Sequence, residues 1–111
     1  MEMKKSIYDL VKRGSVSFVE LSKIDGFKGN LSMELDDKNI ILWDGISKEF
    51  LHSLEELMKE KRIYLKSTTI LVYMADGAML RLPIANSLRK YKNPRWLPVV
   101  FNHVPLSYGL N

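Results

Sequence analysis

Five side chains in the last third of this 111-residue chain are of the types that hold anions: Arg81, Arg89, Lys90, Lys92 and Arg95. Four of them fall in the run Leu88-Arg89-Lys90-Tyr91-Lys92-Asn93-Pro94-Arg95-Trp96. Guanidinium and ammonium groups neutralise phosphates and release their condensed counterions. A Tyr91 or Trp96 ring set among them offers a face on which an exposed base stacks. The charge pattern points the same way. All 13 acidic residues precede Gly77, so the stretch from Gly77 to Asn111 is basic with no acid, although the whole chain carries only +4. Such asymmetry raises the expectation of an anionic partner, with nucleic acid as the leading candidate. A plainer reading stands beside it. Five positive charges spread over the last third make a sparse, solvated face, and Trp96 suits a core anchor equally well.

Other chemistry finds little support. With no Cys there is no disulfide framework, thiolate nucleophile or Cys-based zinc site. His52 and His103 are far apart and belong to no H-E-x-x-H pattern. Glu55 and Glu56 are helix neighbours that do not face each other, and Asp36-Asp37 reads as a turn. Gly26, Gly29 and Asn30 match neither phosphate-binding glycine pattern, and no nucleophile elbow or kinase signature is present. The expectation is therefore no catalytic residue, no cofactor, no metal and no small-molecule substrate. The opening MEMKKSIYDLVKRG lacks a signal-peptide core. The longest apolar run, Ile70 to Ala75, falls well short of the roughly 20 residues that span a bilayer. A cytoplasmic protein with no membrane partner is expected. A hydrophobic share of 46% and a charged share of 27% suit one ordinary core. The expected organisation is a single domain over residues 1–111, with a body at 1–83 and a basic, proline-punctuated tail at 84–111 packed on it.

Several elements must position these residues. Ile7, Leu10 and Val11 mark one face of a first helix over Met3 to Arg13, stopped by Gly14. Ser17 and Glu20 have capping-box spacing ahead of a short helix, Phe18 to Lys23. A loop, Asp25 to Asn30, leads to alternating Leu31, Met33 and Leu35, which pair as a hairpin with Ile40 to Trp43 across Asp36 to Asn39. Ser47 caps a third helix over Lys48 to Lys61, with Phe50, Leu51, Leu54, Leu57 and Met58 on one stripe. Ile63-Tyr64-Leu65 is β-prone. Ile70 to Met74 reads as a strand that turns at Asp76-Gly77 and returns over Met79 to Leu82. Ile84 to Tyr91 reads as a short helix, and the chain from Asn93 onward as extended.

The stretch Ser47 to Ile63, a capped helix with a Leu pair and a basic turn into a strand, resembles the third helix of a winged helix-turn-helix domain. The resemblance runs over about Met3 to Leu82 and rests on element order. It implies an α+β, winged-helix-like fold: three helices, a hairpin inserted before the third, a wing hairpin at Ile70 to Leu82, and an extended basic tail. The family commonly binds DNA, usually with the third helix in the major groove. Here that helix exposes Lys48, Glu49, His52, Ser53, Glu55, Glu56, Lys59 and Glu60, a net negative face that phosphates repel. Contact through the wing and tail is expected instead: Arg81, Arg89, Lys90, Lys92 and Arg95, with Tyr91 and Trp96 stacking. The family also includes protein-interaction modules, and a protein partner or a homodimer through the apolar tail is the rival reading. The spacing of L-P-I-A and K-N-P-R-W-L-P-V is also similar to small uncharacterised proteins of phage or other mobile elements.

Overall fold

The structure is a computed structural model in which residues 2–105 are described; residues 106–111 of the expected tail lie outside the described residues. It is α+β. The order is α1 (Met3–Val11), β1 (Val16–Ser17), α2 (Phe18–Leu21), β2 (Lys28–Leu35), β3 (Ile40–Ile46), α3 (Lys48–Lys59), β4 (Ile63–Ser67), α4 (Ile70–Asp76), β5 (Arg95–Trp96) and β6 (Val99–His103). One sheet has the order β1-β6-β4 and the other β2-β3-β5.

Local signals set the first half. The Ser17 hydroxyl accepts from the Glu20 N–H while the Glu20 carboxylate accepts from the Ser17 N–H, so the capping box forms as spaced. The same hydroxyl donates to Asp76 Oδ2 at 2.7 Å, which ties α2 to the end of α4. Ser17 is fully buried, so losing its oxygen removes a cap and leaves Asp76 without its donor. Ser17→Ala should lower stability by about 1–2 kcal/mol, read as a shifted denaturation midpoint. The hairpin of β2 and β3 forms with Leu35 opposite Ile40. Its turn is one 3₁₀ turn, Asp36–Lys38, closed by Asn39 in the left-handed region at φ 57°, a conformation Asn tolerates better than most residues. Ser47 caps α3 by accepting from the Phe50 N–H at 3.0 Å.

The second half departs from expectation. Ile70 to Met74 is the helix α4 and not a strand. Gly77, at φ 101°, is the left-handed stop of that helix and not a hairpin turn. No strand forms over Met79 to Leu82, so the expected wing hairpin at Ile70 to Leu82 is absent and the described helices number four. Ile84 to Tyr91 is not a helix but an irregular loop. Ser53, expected on the exposed face of α3, is buried. From Asn93 to Pro105 the chain is extended, as expected, and it forms structure rather than an arm. β6 is the central strand of its sheet, pairing with β1 (Val16 opposite Phe101) and with β4 (Leu65 opposite Phe101). β5 runs parallel to β3, Ile41 opposite Trp96.

The core is one cluster drawn from both sheets and from the helices, and it is joined by a run of aromatic rings from five elements. Phe18 meets Phe101 edge-on at 5.1 Å and lies parallel to Trp43 at 6.0 Å. Tyr73 touches Trp43 at 5.3 Å and Trp96 edge-on at 5.0 Å. Edge-to-face pairs of this kind add to what burial of the rings contributes. Among the described residues no helix is long and apolar enough to cross a membrane.

Candidate nucleic-acid interface

The five basic residues fall on the segment between α4 and β6. That segment is irregular, yet its backbone is pinned at several points. The Trp96 N–H donates to Pro83 O and the Ala85 N–H to Trp96 O, both at 2.8 Å. The Tyr91 N–H donates to Lys38 O at 3.0 Å, and the Arg95 N–H to Asn39 O at 2.9 Å. The Asn39 side-chain amide then donates to the carbonyls of Tyr91 (3.0 Å) and Lys92 (3.2 Å). The β2–β3 turn is therefore the clamp on which the basic loop is mounted. Sequence reasoning missed Asn39 in this role. Its only local signal was an Asn placed at the end of a turn.

Tyr91 organises the loop from within. Its hydroxyl accepts from the Asn86 and Ser87 N–H groups at 3.0 and 3.2 Å and donates to Ser87 O at 3.3 Å. The guanidinium groups of Arg89 and Arg95 lie 4.8 and 4.7 Å from its ring centre, within cation–π range. The Arg89 guanidinium beside the phenol, with the Ser87 and Asn86 contacts, outweighs burial and lowers the Tyr91 hydroxyl to about 8. Arg95 also donates to Ile84 O at 3.2 Å and is half-buried. Arg81, Arg89, Lys90 and Lys92 are exposed. Among the described residues none of these five lies within ion-pairing distance of a carboxylate.

The two rings expected to stack on bases do not face solvent. Tyr91 is 6% exposed, with Arg89 and Arg95 beside its ring. Trp96 is 0% exposed and its indole N–H donates to Leu42 O at 3.2 Å. The structure thus brings Arg89, Tyr91 and Arg95 together and places Trp96 in the core. Pro83, two residues after Arg81, accepts from Trp96, which brings that end of the segment beside β5.

The acidic residues of α3 are partly engaged. Glu60, the C-cap of the helix, pairs with Lys4 at 2.6 Å and with Arg62 at 3.8 Å, and Glu56 lies 3.5 Å from the His52 ring nitrogen. Glu60 is held below the usual carboxylate range, first by its hydrogen bond from Lys4. No protein-family model, curated protein or solved structure matches this chain, so its own residues are the whole basis for a functional reading.

Proposed function

We propose that this chain is a nucleic-acid-binding accessory or regulatory domain that holds phosphates with the loop between α4 and β6. The observation that carries the reading is the set Arg81, Arg89, Lys90 and Lys92: exposed, on one pinned loop, and with no carboxylate partner among the described residues. Unpaired cations on a fixed backbone forgo no competing ion pair and little backbone entropy when they meet phosphate. Arg95, half-buried against Tyr91, positions that ring and lends its charge to the same surface. Because Tyr91 and Trp96 are enclosed, the contact is to the phosphate backbone, and sequence readout by stacking is not part of it. The scaffold reading is winged-helix-like in a displaced form. The antiparallel pair that follows α3 is β4–β6, and the segment joining those strands carries α4 and the basic loop where a short wing would be.

The test is a titration of duplex DNA, single-stranded DNA and RNA across a salt series. Three or four phosphate contacts should give a log–log slope of about −3 on duplex. Replacing Arg89, Lys90, Lys92 and Arg95 with Gln should flatten it. Tryptophan emission should stay unquenched on binding, since Trp43 and Trp96 are both buried. Absence of binding at low salt overturns the reading.

A second reading, a protein-interaction module, has its own observation. On α4, Leu71 is 67% and Met74 58% exposed, and Met79 just beyond is 46% exposed. Exposed apolar side chains gathered at one place mark contact surfaces more often than singly scattered ones.

A further inference from the structure

The strand β4 has a free edge, and the hydrogen-bond pattern says which residues line it. In an antiparallel ladder each residue sends its N–H and C=O to the same side, and the side alternates along the strand. Just outside β4, Arg62 O accepts from the Val104 N–H at 2.8 Å and the Thr68 N–H donates to Pro98 O at 2.9 Å, both toward the β6 side. Tyr64 and Lys66, opposite Asn102 and Val100, therefore bond to β6. Ile63, Leu65 and Ser67 point their N–H and C=O groups the other way. Among the described residues no strand meets them there.

The same three residues place their side chains on the inner face. Ile63 is buried. Leu65 and Ser67 line a cavity of about 460 Å³ whose apolar wall is completed by Leu35, Leu42, Leu88 and Leu97. Leu88 is 59% exposed. An unpaired edge beside a pocket for alternate side chains is the arrangement that strand addition uses. The charge beside the groove selects the occupant. Leu88 leads into Arg89 and Lys90, both exposed and without a carboxylate partner among the described residues. Two copies joined edge to edge would bring two such basic loops onto one seam, and Lys66 adds a further positive charge to the strand.

We infer that the β4 edge and its leucine-lined groove take up an extended segment of another protein in which apolar and acidic side chains alternate. The main chain of that segment bonds to residues 63, 65 and 67. Its apolar side chains enter the groove, and its carboxylates, which alternate to the opposite face of the added strand, lie on the side of Lys66 and within the positive field of Arg89 and Lys90. The strand edge and the groove are additional to the phosphate contact proposed above, while Arg89 and Lys90 are common to both.

The test uses the full chain and two labelled heptapeptides, Glu-Leu-Glu-Leu-Glu-Leu-Glu and its Lys counterpart, followed by fluorescence anisotropy and backbone amide shifts. The acidic peptide should bind more tightly, with its largest shifts at the amides of Ile63, Leu65 and Ser67. Ser67→Pro blocks the edge without removing a bond to β6, a setting in which edge strands accept proline. It should weaken binding by about tenfold or more, and by more than Ser67→Ala, which trims the groove side chain but keeps the backbone N–H. Replacing Arg89 and Lys90 with Ala should lower affinity and reduce its salt dependence. The inference is overturned if neither peptide binds, if the Lys peptide binds equally well, or if the shifts centre on α4. It is also overturned if the free chain dimerises and Ser67→Pro disperses the dimer, which assigns the edge to a second copy. The shift map is read on the unmodified chain, so it decides the matter even where the proline variant fails to fold.

Discussion

A chain ended after Pro83 should fail to fold. The lost residues include β6, the central strand of its sheet, so β1 and β4 would both be left without a partner. They also include Trp96, Val99 and Phe101, all fully buried, and Tyr91, nearly so. A domain of this size retains only about 5–15 kcal/mol of net stability. Replacing one large buried aromatic by Ala costs about 3–5 kcal/mol, and the truncation removes several at once. The expected readout is the absence of near-ultraviolet circular dichroism and of a cooperative denaturant transition. Trp96→Ala in the full chain is the single-residue version. It forfeits the edge-on contact with Tyr73 and the hydrogen bond to Leu42 O, and it should lower stability by about 3–5 kcal/mol. A truncated chain that folds with native-like spectra would make the C-terminal segment a detachable arm and would remove the anchors from which the basic loop is argued to hang.

What the sequence made legible was what local chemistry decides. The Ser17–Glu20 box, the Ser47 cap and the strand over Leu31 to Leu35 each depend on residues a few positions apart, and each is present, although irregular pairing in that strand leaves Leu31 exposed beside a half-buried Ser32. The segment from Ile70 to Gly77 shows where such signals become ambiguous. β-Branched and aromatic residues favour strands, and Asp-Gly favours a tight hairpin turn, yet Gly is also the common left-handed stop of a helix. Long-range contacts settle the choice here. Tyr73 enters the core against Trp43 and Trp96, and Asp76 meets the Ser17 hydroxyl, a partner 59 positions away. The basic loop follows the same logic. Its charges were readable, but the clamp on it is Asn39, 52 and 53 positions from its partners. Composition likewise leaves open whether Trp96 stacks on a ligand or packs in a core. Its burial follows from the parallel pairing of β5 with β3, which no short window of residues announces.

Replacing Tyr73 with Phe should destabilise the fold at neutral pH and also remove a specific alkaline sensitivity. β1 and β6 pair at Ser17 and Val100, and the next position along would set Phe18 against Val99. The chain turns into α2 there, and the Tyr73 hydroxyl takes up the gap. It accepts from the Phe18 N–H at 3.1 Å and donates to Val99 O at 2.6 Å. Loss of the oxygen leaves both backbone groups buried without these partners, which costs about 1–3 kcal/mol. The pH dependence follows from the same burial, which pushes the Tyr73 phenol up to about 12 against the ordinary 10.0. Below pH 10 the hydroxyl is protonated folded or unfolded, and its full contribution is present. As pH rises above 10 the unfolded chain releases the proton while the folded chain keeps it, so stability falls, by roughly 2 kcal/mol by pH 12. Phe at this position carries no proton to release. The stability advantage of the parent chain over Tyr73→Phe should therefore be constant up to about pH 10 and shrink from there toward pH 12, with the remaining tyrosines and lysines contributing equally to both curves. Parallel curves through that range would mean that the hydroxyl reaches water and does not close the gap between β1 and β6.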